Sequence, residues 1–331
     1  MEQIRIGVIG CGGISHGHVN RLAAMPNVKV AALMDVSEDQ IASFKQRSPV
    51  VQGCAQFLNY KELLDSALTD AVLIASPHTC HYEQIMASLE HGQHVLCEKP
   101  MVCTMKHAHD VIRKVESTGK VFLLSYQRHF AGGFRYIRRM ISEGHIGDVQ
   151  FVTAMQCQDW LRFTKNRWRQ VASLSGGGQL NDSGSHLVDI VLWTSGLAVE
   201  SVSAYCDFFG TEVDINSALT LRFTNGAQGN LSVIGNCPGW WEDLTFVGSK
   251  GVIYSRNGKI THVNAQTSEV SELTHVPDAG DPDRNFINAI REGEPVQSPA
   301  LCGLRVIELT EAAWQSAAKN GTPVRVARTE A

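Results

Sequence analysis

Two charged residues and a proline follow one of the apolar runs of the sequence, in the motif Glu98-Lys99-Pro100. The run before it, His94-Val95-Leu96-Cys97, is typical of a buried β-strand. An isolated motif of this kind is most simply a solvated turn. If the strand belongs to a parallel sheet, however, its carboxyl end lies at the edge where such sheets bind ligands, and a lysine there can stabilise negative charge. The chemistry of Lys99 therefore depends on the elements around it.

A carboxylate and an imidazole form a second group that could do chemistry, because Asp182 and His186 lie four residues apart near the predicted start of a helix over 183–195. Side chains with this spacing share one helix face. The helix amino terminus favours an ionised carboxylate and disfavours an imidazolium, so a neutral His186 can accept a proton near neutral pH. The pair is equally compatible with a helix cap and a non-catalytic histidine. Three glycines, 176–178, precede it and allow a ligand or another backbone segment to approach closely.

The turn after the first predicted strand has the glycine spacing of a dinucleotide-binding motif. Gly10 and Gly12 occupy the first two positions of G-x-G-x-x-G, and Ser15 takes the third, where a small residue allows close packing. Such turns place a pyrophosphate at a helix amino terminus. Asp35 ends the second predicted strand, 20 residues after Ser15, where an acid binds the adenosine ribose, although a cap of the next helix is compatible with this position. No Arg or Lys occurs in 36–38, so the sequence favours NAD over NADP.

The elements that must position these residues alternate in type over the first part of the chain. Short, continuous apolar runs separate segments of helical composition, which predicts a parallel sheet covered by helices on both faces. We therefore predict an α/β Rossmann domain, with a doubly wound parallel sheet, over residues 1–124. Its predicted strands are 4–9, 28–34, 71–75, 94–97 and 121–125, and its predicted helices lie near 14–25, 37–48, 59–67, 79–91 and 104–118.

The rest of the chain has a different pattern. Asn225-Gly226 and Asn257-Gly258 each separate two short apolar runs, and Asn-Gly in such a place predicts a tight hairpin. Residues 125–331 are therefore expected to form an α+β domain with a large, mostly antiparallel, open-faced sheet. A sheet face without helices predicts self-association into a homodimer or homotetramer. The predicted strands include 218–223, 229–233, 252–254 and 260–263, and helices are predicted near 183–195, 283–292 and 303–318.

The composition argues against several classes of partner. The 331-residue chain has a formal charge of -4 and no basic block, which argues against nucleic-acid and membrane binding. It has no cationic leader or long apolar segment, and its 9 cysteines are scattered without a C-x-x-C motif, as expected of a cytoplasmic protein with reduced thiols. Neighbouring donors such as Cys80-His81 lack a closing set of ligands, so no metal site is predicted.

Taken together, these motifs resemble those of one known family, the glucose–fructose oxidoreductase and inositol dehydrogenase family of NAD(P)-dependent enzymes. The closing segments 286–293 and 311–317 also resemble the family's last helices, so the resemblance covers essentially the whole chain. The motifs that carry it are Gly10-Cys11-Gly12-Gly13-Ile14, Glu98-Lys99-Pro100, Tyr126-Gln127-Arg128-His129-Phe130, and the three glycines followed by Asp182 and His186.

The resemblance implies a dehydrogenase that oxidises a secondary hydroxyl of a sugar, sugar derivative or inositol-like polyol to a ketone, with hydride transfer to NAD. It implies that Lys99 lies beside the nicotinamide and the reacting hydroxyl. It also implies that His186 accepts the hydroxyl proton, and that Asp182 binds the substrate and tunes His186.

The expected contacts of this site fall into two groups. The cofactor contacts are expected from Gly10, Gly12, Gly13, Ile14, Asp35, Ser76, Pro77, His78, His81, Glu98, Lys99 and Gln127. The substrate contacts are expected from Lys99, Tyr126, Arg128, Trp168, Arg169, Asn181, Asp182 and His186. Indole faces and polar planar groups suit a sugar, so Asp159-Trp160 and Trp240-Trp241-Glu242 are further candidates to line the substrate cleft.

Two other functions are compatible with the same motifs. Some relatives retain NAD and oxidise a sugar only transiently, so that a glycosidic group is eliminated before the sugar is reduced again. Transcriptional regulators such as the yeast galactose repressor also resemble this fold, which leaves a non-enzymatic NAD or sugar sensor as a more distant alternative. The presence of Lys99, Asp182 and His186 argues against the sensor.

Overall fold

The computed structural model describes residues 3–273 and 276–327. The chain forms two compact units. The first unit comprises the chain up to Val102 together with Lys106–Tyr126 and Gly280–Gly303, and the second comprises Cys103–Met105, Gln127–Ala279 and the chain from Leu304 on.

The strands and helices are numbered in chain order. The strands are β1 (Ile4–Ile9), β2 (Val28–Met34), β3 (Ala55–Phe57), β4 (Ala71–Ile74), β5 (His94–Cys97), β6 (Phe122–Leu124), β7 (Val149–Cys157), β8 (Val199–Asp207), β9 (Asn216–Phe223), β10 (Gln228–Ile234), β11 (Trp241–Gly248), β12 (Gly251–Arg256), β13 (Lys259–Asn264), β14 (Val270–Leu273) and β15 (Val324–Arg325). The α-helices are α1 (Ser15–Ala23), α2 (Glu38–Arg47), α3 (Tyr60–Asp65), α4 (His81–Glu90), α5 (Met105–Thr118), α6 (Gly132–Ser142), α7 (Trp160–Phe163), α8 (Ala172–Ser175), α9 (Gly184–Ser195), α10 (Pro282–Glu292) and α11 (Ala300–Ala317). Within the two described stretches, no helix has the length and apolar character needed to cross a membrane.

A six-stranded parallel sheet forms the centre of the first unit, in the order β3-β2-β1-β4-β5-β6. This confirms the doubly wound α/β fold predicted from the sequence. The order changes direction between β1 and β4, and ligands of such sheets bind outside the carboxyl ends of the strands at this point. The sequence pattern does not predict β3, because it is three residues long and only partly buried, so no apolar run marks it.

The first unit also contains a segment from far along the chain. The sequence pattern predicts one boundary after residue 124, with all later residues in a second domain, whereas 280–303 packs with the first unit. Phe286 and Ile287 of α10 are each 1% exposed and join the apolar core that contains Ile6. Burial of one such side chain is worth roughly 1.5–3 kcal/mol. The apolar face of α10 therefore completes the core of the parallel sheet.

A nine-stranded sheet dominates the second unit, in the order β14-β13-β12-β11-β7-β10-β9-β8-β15. Among its described strand pairs only β7 and β10 run parallel, which confirms the mostly antiparallel sheet expected here. The two Asn-Gly turns join β9 to β10 and β12 to β13, as predicted. Gly226 and Gly258 have φ values of +88° and +89°, which glycine adopts without a steric penalty.

The two faces of this sheet differ in burial. Val152, Ala154 and Gln156 of β7 are buried on one face, and α9 packs on β7 and β10. The other face is more exposed and mixed in character. On β7, β11 and β12 it includes the partly exposed apolar residues Phe151, Met155, Val247 and Val252 together with the polar residues Thr153 and Asp243. On β9 and β10 it includes the exposed polar residues Thr220, Arg222, Gln228 and Asn230. Self-association through this face stays a prediction.

The glycine loop ahead of α9 packs against protein. A Cβ at Gly178 would lie 1.9 Å from the Asp214 carbonyl oxygen, and a Cβ at Gly177 would lie 2.5 Å from the Trp314 ring. The Asp214 carboxylate accepts hydrogen bonds from the backbone N–H groups of Gly178 (3.0 Å) and Leu180 (2.9 Å) and from the Trp314 indole (3.0 Å). The sequence allowed either a ligand or a second backbone segment to approach these glycines, and the structure shows a backbone segment at Gly178.

We expect Gly178→Ala to destabilise the protein, because a β-carbon 1.9 Å from a backbone oxygen forces the loop or Asp214 to move. Overpacking typically costs about 1–3 kcal/mol. Thermal unfolding followed by circular dichroism should give a clearly lower midpoint for Gly178→Ala than for Gly53→Ala, where an added Cβ has no neighbour within 4 Å. Equal midpoints for the two variants would contradict the packing described for this loop.

Candidate active site

The turn between β1 and α1 has the shape that a pyrophosphate requires. Gly10 has a φ of +99°, and a Cβ there would lie 2.6 Å from the Ala75 carbonyl oxygen, so the position requires glycine. Ser15 is buried and donates its hydroxyl to the Gly10 carbonyl oxygen (2.7 Å), which closes the turn. Added Cβ atoms at Gly12 and Gly13 would meet no protein atom within 4 Å. These two glycines therefore border open space near the start of α1, where the N–H groups and the helix dipole attract an anion, and the turn fits a dinucleotide.

Asp35 lies beside this turn, just after β2. Its carboxylate accepts hydrogen bonds from the backbone N–H groups of Cys11 (2.9 Å) and Ser37 (3.2 Å). The side chain that caps α2 is that of Ser37, which accepts from the N–H of Gln40. The alternative function considered for Asp35, a cap of the next helix, thus belongs to Ser37. Asp35 instead presents an acid next to the glycine turn.

The residues after β4 differ in their exposure. Ser76 and Pro77 are partly exposed, whereas His78 is buried. His81 is fully buried, with its Nδ1 2.8 Å from the Pro100 carbonyl oxygen and its Nε2 3.0 Å from that of Ser76. Burial lowers the pKa of His81. The buried His81 ring therefore packs between the segment that follows β4 and the segment that follows β5 and contacts the backbone of both.

The Glu98-Lys99-Pro100 turn follows β5, with Glu98 buried and Lys99 partly exposed. One Glu98 oxygen lies 2.9 Å from Nε2 of His18 in α1, and the other accepts the backbone N–H of Lys99 (3.2 Å). Nδ1 of His18 lies 2.6 Å from a carboxylate oxygen of Asp283 in α10. The backbone of Lys99 is therefore attached to a network of buried charged side chains.

The contacts within this network set the charges of its members. Burial alone would lower the pKa of His18, but hydrogen bonds to Asp283 and Glu98 outweigh it and raise the pKa to about 9. Burial alone would raise the pKa of Glu98, but the hydrogen bond and charge of His18 lower it to about 2. At neutral pH the His18 ring is thus an imidazolium between two carboxylates. The sequence motifs identified neither His18 nor Asp283 as a member of this network.

In the second unit, Asp182 lies just ahead of α9, which begins at Gly184. Its Oδ2 accepts hydrogen bonds from the Trp160 indole (2.9 Å) and from Nε of Arg169 (2.9 Å). The Arg169 guanidinium carbon lies 4.4 Å from the centroid of the Trp168 ring. The structure therefore brings together three predicted substrate residues, Trp168, Arg169 and Asp182, and adds Trp160, which was a candidate to line the cleft.

His186 is the third residue of α9 and is partly exposed, whereas Asp182 is 4% exposed. The backbone N–H of His186 donates to the Ser183 carbonyl oxygen (3.2 Å), which belongs to the first turn of the helix. The positive charge of Arg169 stabilises negative charge on Asp182. An imidazole at the amino end of a helix, with an ionised acid one turn earlier, suits a group that accepts a proton from a ligand.

The remaining predicted substrate and loop residues have different environments. Tyr126 is fully buried in the first unit, and Gln127 is exposed in the second. Arg128 forms an ion pair with Glu242 (2.6 Å), and both side chains are largely buried. Asn181 is fully buried next to Asp182. A direct contact of Tyr126, Arg128 or Asn181 with a substrate stays a prediction.

Two models of one protein family match consecutive regions of the chain. The family model described as "Oxidoreductase family, NAD-binding Rossmann fold" (GFO/IDH/MocA) matches residues 4–126. The model of the GFO/IDH/MocA C-terminal domain matches residues 134–254. The first match contains the glycine turn and the Lys99 turn, and the second contains Asp182 and His186.

Individual relatives match over most of the chain. An uncharacterised oxidoreductase of Bacillus subtilis, YrbE, is 25% identical, and the match covers 99% of this chain and 98% of that protein. Myo-inositol 2-dehydrogenase of Thermotoga maritima is 28% identical, with 78% of this chain and 77% of that protein covered. The solved structure of levoglucosan dehydrogenase in complex with NADH and levoglucosan has a TM-score of 0.88 and 21% identity, covering 99% of this chain and 100% of that one, and supports the fold.

Gly12→Ala should weaken NAD binding without affecting folding, because the added Cβ meets no protein atom but enters the space expected for the pyrophosphate. We expect the dissociation constant for NAD, measured by isothermal titration calorimetry, to rise at least about tenfold, or about 1.4 kcal/mol. Gly53→Ala, which also has no neighbour within 4 Å of the added Cβ, is the matched control and should bind NAD like the wild type. Unchanged NAD affinity in Gly12→Ala would show that the pyrophosphate does not lie at this turn.

The unfolding midpoint should fall as the pH rises through about 9, because His18 has a pKa of about 9 in the folded protein against an ordinary value of 6.5. The bound proton stabilises the folded state fully below pH 6.5, and this stabilisation is lost above about 9. Glu98, with a pKa of about 2 against 4.5, contributes above pH 4.5 and loses its contribution as the pH falls towards 2.

Scanning calorimetry of the wild type and of His18→Gln across the neutral and alkaline range tests this assignment. The wild type should lose more stability on the alkaline side than the variant, because only the wild type has the His18 proton to lose. Parallel pH profiles for the two proteins would contradict an imidazolium at this position.

Proposed function

Because the chain belongs to the GFO/IDH/MocA family of oxidoreductases, whose Rossmann domain binds NAD, we propose that it oxidises a secondary hydroxyl of a sugar, sugar derivative or polyol to a ketone. The observation that carries the proposal is the group around Asp182. An acid held by Arg169 and Trp160 stands one turn ahead of a partly exposed His186. This is the pairing of an acid and an imidazole that proton abstraction from a hydroxyl requires.

We assign the proton step to His186. An imidazole nitrogen of His186 accepts the proton of the substrate O–H as the carbon–hydrogen bond breaks. NAD, when bound, supplies the hydride acceptor at C4 of its nicotinamide. Asp182 binds a substrate hydroxyl and stabilises the positive charge that develops on His186, and its own charge is balanced by Arg169.

Lys99 is proposed to stabilise the reacting oxygen. An ammonium group donates hydrogen bonds and cannot accept a proton, so its proposed contribution is electrostatic and hydrogen-bonding. A positive charge next to the oxygen favours the alkoxide-like character that develops while His186 removes the proton. The two residues therefore have separable roles, with His186 as base and Lys99 as electrostatic stabiliser.

NAD is preferred to NADP in this proposal because of the acid beside the glycine turn. The Asp35 carboxylate is held by the N–H groups of Cys11 and Ser37, and it would repel a 2′-phosphate while accepting hydrogen bonds from ribose hydroxyls. Val36, which follows it, is 83% exposed and carries no charge that could attract the phosphate. Gly13, Ile14, Ser76, Pro77, His78 and Gln127 remain further predicted cofactor contacts. His81 and Glu98 were also predicted, but their side chains are buried and engaged with protein groups.

The proposed substrate is a carbohydrate or polyol because of the groups beside Asp182. The stacked Trp168 ring and Arg169 guanidinium present an apolar face and planar N–H donors together, which match the C–H faces and hydroxyls of a sugar. Assembly into a homodimer or homotetramer is proposed to occur through the partly exposed face of the nine-stranded sheet, at Phe151, Val247 and Val252.

Reduced-nicotinamide absorbance, recorded after mixing the protein with NAD or NADP and a panel of compounds, tests the proposal. The panel contains inositols, aldoses, alditols, anhydrosugars and simple glycosides. We expect a rise with NAD and at least one member. No rise with any member, combined with tight NAD binding and release of the leaving group from a glycoside, would instead support the alternative cycle of transient oxidation and elimination.

Lys99→Met and His186→Ala should each lower turnover by roughly 10²–10⁴-fold, because each removes a group that acts on the reacting oxygen. The NAD dissociation constant should change much less than turnover in either variant. Lys106→Met and His145→Ala, which alter exposed residues of the same types, are the controls and should retain wild-type turnover. Normal turnover in Lys99→Met or His186→Ala would exclude the corresponding residue from catalysis.

A further inference from the structure

A buried ionic network lies behind the Lys99 turn and takes no direct part in the proposed reaction. His18 and Asp283 are each 0% exposed, and Glu98 is 5% exposed, so none of the three has a surface on which a substrate can bind. Burying charged groups is costly unless they are fully paired. A network of this kind therefore needs a function in folding, in catalysis or in both.

The network joins three segments that are distant in the sequence. His18 belongs to α1, the helix that begins at the glycine turn, and its Nε2 lies 2.9 Å from Glu98, just after β5. Its Nδ1 lies 2.6 Å from Asp283 at the start of α10. The second oxygen of Glu98 accepts the backbone N–H of Lys99 at 3.2 Å. A continuous chain of hydrogen bonds thus runs from the cofactor helix to the backbone of Lys99.

The charges facing His18 require it to donate from both ring nitrogens. Glu98 and Asp283 are carboxylates and can only accept, so the ring between them is an imidazolium. The Arg21 side chain, from the same helix as His18, places its Nε 2.6 Å from the other Asp283 oxygen and 3.8 Å from Asp281. Lys99 contributes a further positive charge near Glu98. The positive charges of the buried His18 and of the partly exposed Arg21 offset the negative charges of Glu98 and Asp283.

Formation of the Glu98–Lys99 turn does not by itself require the contact between Glu98 and His18. An exposed glutamate could accept the same backbone N–H, but its side chain would move between rotamers and would not relate the turn to α1. Burial of Glu98 against His18 removes this freedom. The position of the Lys99 backbone then depends on the position of α1, whose amino end is the expected cofactor site.

We propose that His18 is a positioning residue for Lys99: through Glu98 it holds the Lys99 backbone in a fixed relation to the glycine turn and hence to the bound cofactor. The proposal rests on the catalytic role given to Lys99 in the proposed function. Electrostatic stabilisation requires the ammonium group to stand close to the reacting oxygen, and a displacement of about 1 Å can reduce the rate about 10²-fold. His81, which touches the Pro100 carbonyl oxygen, supports the other side of the same turn.

A double-mutant cycle between His18→Gln and Lys99→Met tests the proposal. His18→Gln should lower kcat by roughly 10–100-fold with smaller changes in KM, because the loss is one of geometry at the reacting oxygen. In the Lys99→Met background the same change should lower kcat by no more than about twofold, since there is no ammonium group left to misplace. The NAD dissociation constant of His18→Gln should stay within about threefold of the wild type, and that of the double variant within about threefold of Lys99→Met.

The matched control is His94→Gln. His94 is the first residue of the strand that Lys99 follows, and its Nδ1 accepts the backbone N–H of Val121 at 3.0 Å. Its replacement should lower the unfolding midpoint without lowering kcat. This separates loss of stability in the first unit from loss of positioning at Lys99.

His18→Gln leaves Glu98 buried without its cation, so the variant can fold poorly. His18→Gln combined with Glu98→Gln removes both charges and restores a neutral hydrogen-bonded pair. It should recover stability and part of kcat relative to His18→Gln. If His18→Gln cannot be purified, this double variant takes its place in the cycle.

The outcomes distinguish the two proposals. If Lys99→Met has wild-type turnover, Lys99 does not have the proposed catalytic role. The proposal that His18 positions Lys99 is then overturned as well. If Lys99→Met is impaired but His18→Gln retains wild-type kcat, or lowers it equally with and without Lys99, the proposed role of Lys99 survives and His18 is shown to be structural only.

Discussion

A buried imidazolium between two carboxylates is the interaction on which the nucleotide-binding unit depends. Its three ionic groups belong to α1, to the chain after β5 and to α10, so that each element contributes a charge that is paired with a charge of another. Removing one partner of a buried ion pair leaves an uncompensated charge and typically costs several kcal/mol. The three segments are therefore expected to be ordered together, including the late segment around α10.

Hydrophobic packing and electrostatics act at the same place in this unit. Phe286 and Ile287 of α10 belong to the same apolar core as the residues of β1, while Asp283, one turn earlier, reaches His18. The apolar face provides most of the stabilising free energy. Burial of large side chains is favourable in any position of α10 against the sheet that excludes water. The ionic contact is directional, so we expect it to favour one position of α10 against the sheet among those that apolar packing alone would tolerate.

The second unit uses carboxylates for a related purpose. Asp214 accepts two backbone N–H groups and one indole N–H, and it thereby holds a loop that has little regular structure of its own. Asp182 accepts from Trp160 and Arg169 and is held at the entrance of α9. A loop residue becomes well positioned only when neighbouring groups restrict its rotamers. Multiple donors to one carboxylate provide that restriction, since hydrogen bonds to a charged acceptor are about twice as strong as neutral ones.

Glycine pairs have different functions in the two units: one leaves space for a ligand, and the other allows close packing of protein atoms. At Gly12 and Gly13 a side chain would enter open space, so the absence of a Cβ matters only to a ligand. At Gly177 and Gly178 a side chain would collide with protein atoms, so its absence matters to packing. The one-letter sequence is the same in both places. The distinction depends on what the folded chain brings opposite the glycine.

Local patterns were sufficient to predict the fold class, the two Asn-Gly hairpins and most helices and strands, because turn chemistry and apolar periodicity act between residues close in sequence. The family came from the resemblance of the motifs. Local patterns were also sufficient to single out Lys99, Asp182 and His186 as candidates. They did not predict that 280–303 returns to the first unit, that Glu98 faces inward onto His18, or that Asp214 holds the glycine loop. The contact between His18 and Asp283 joins residues 265 positions apart, and that between His18 and Glu98 joins residues 80 positions apart. Such contacts depend on how whole helices and strands pack together. The sequence around each residue does not indicate its partner, because the two residues are far apart in the chain.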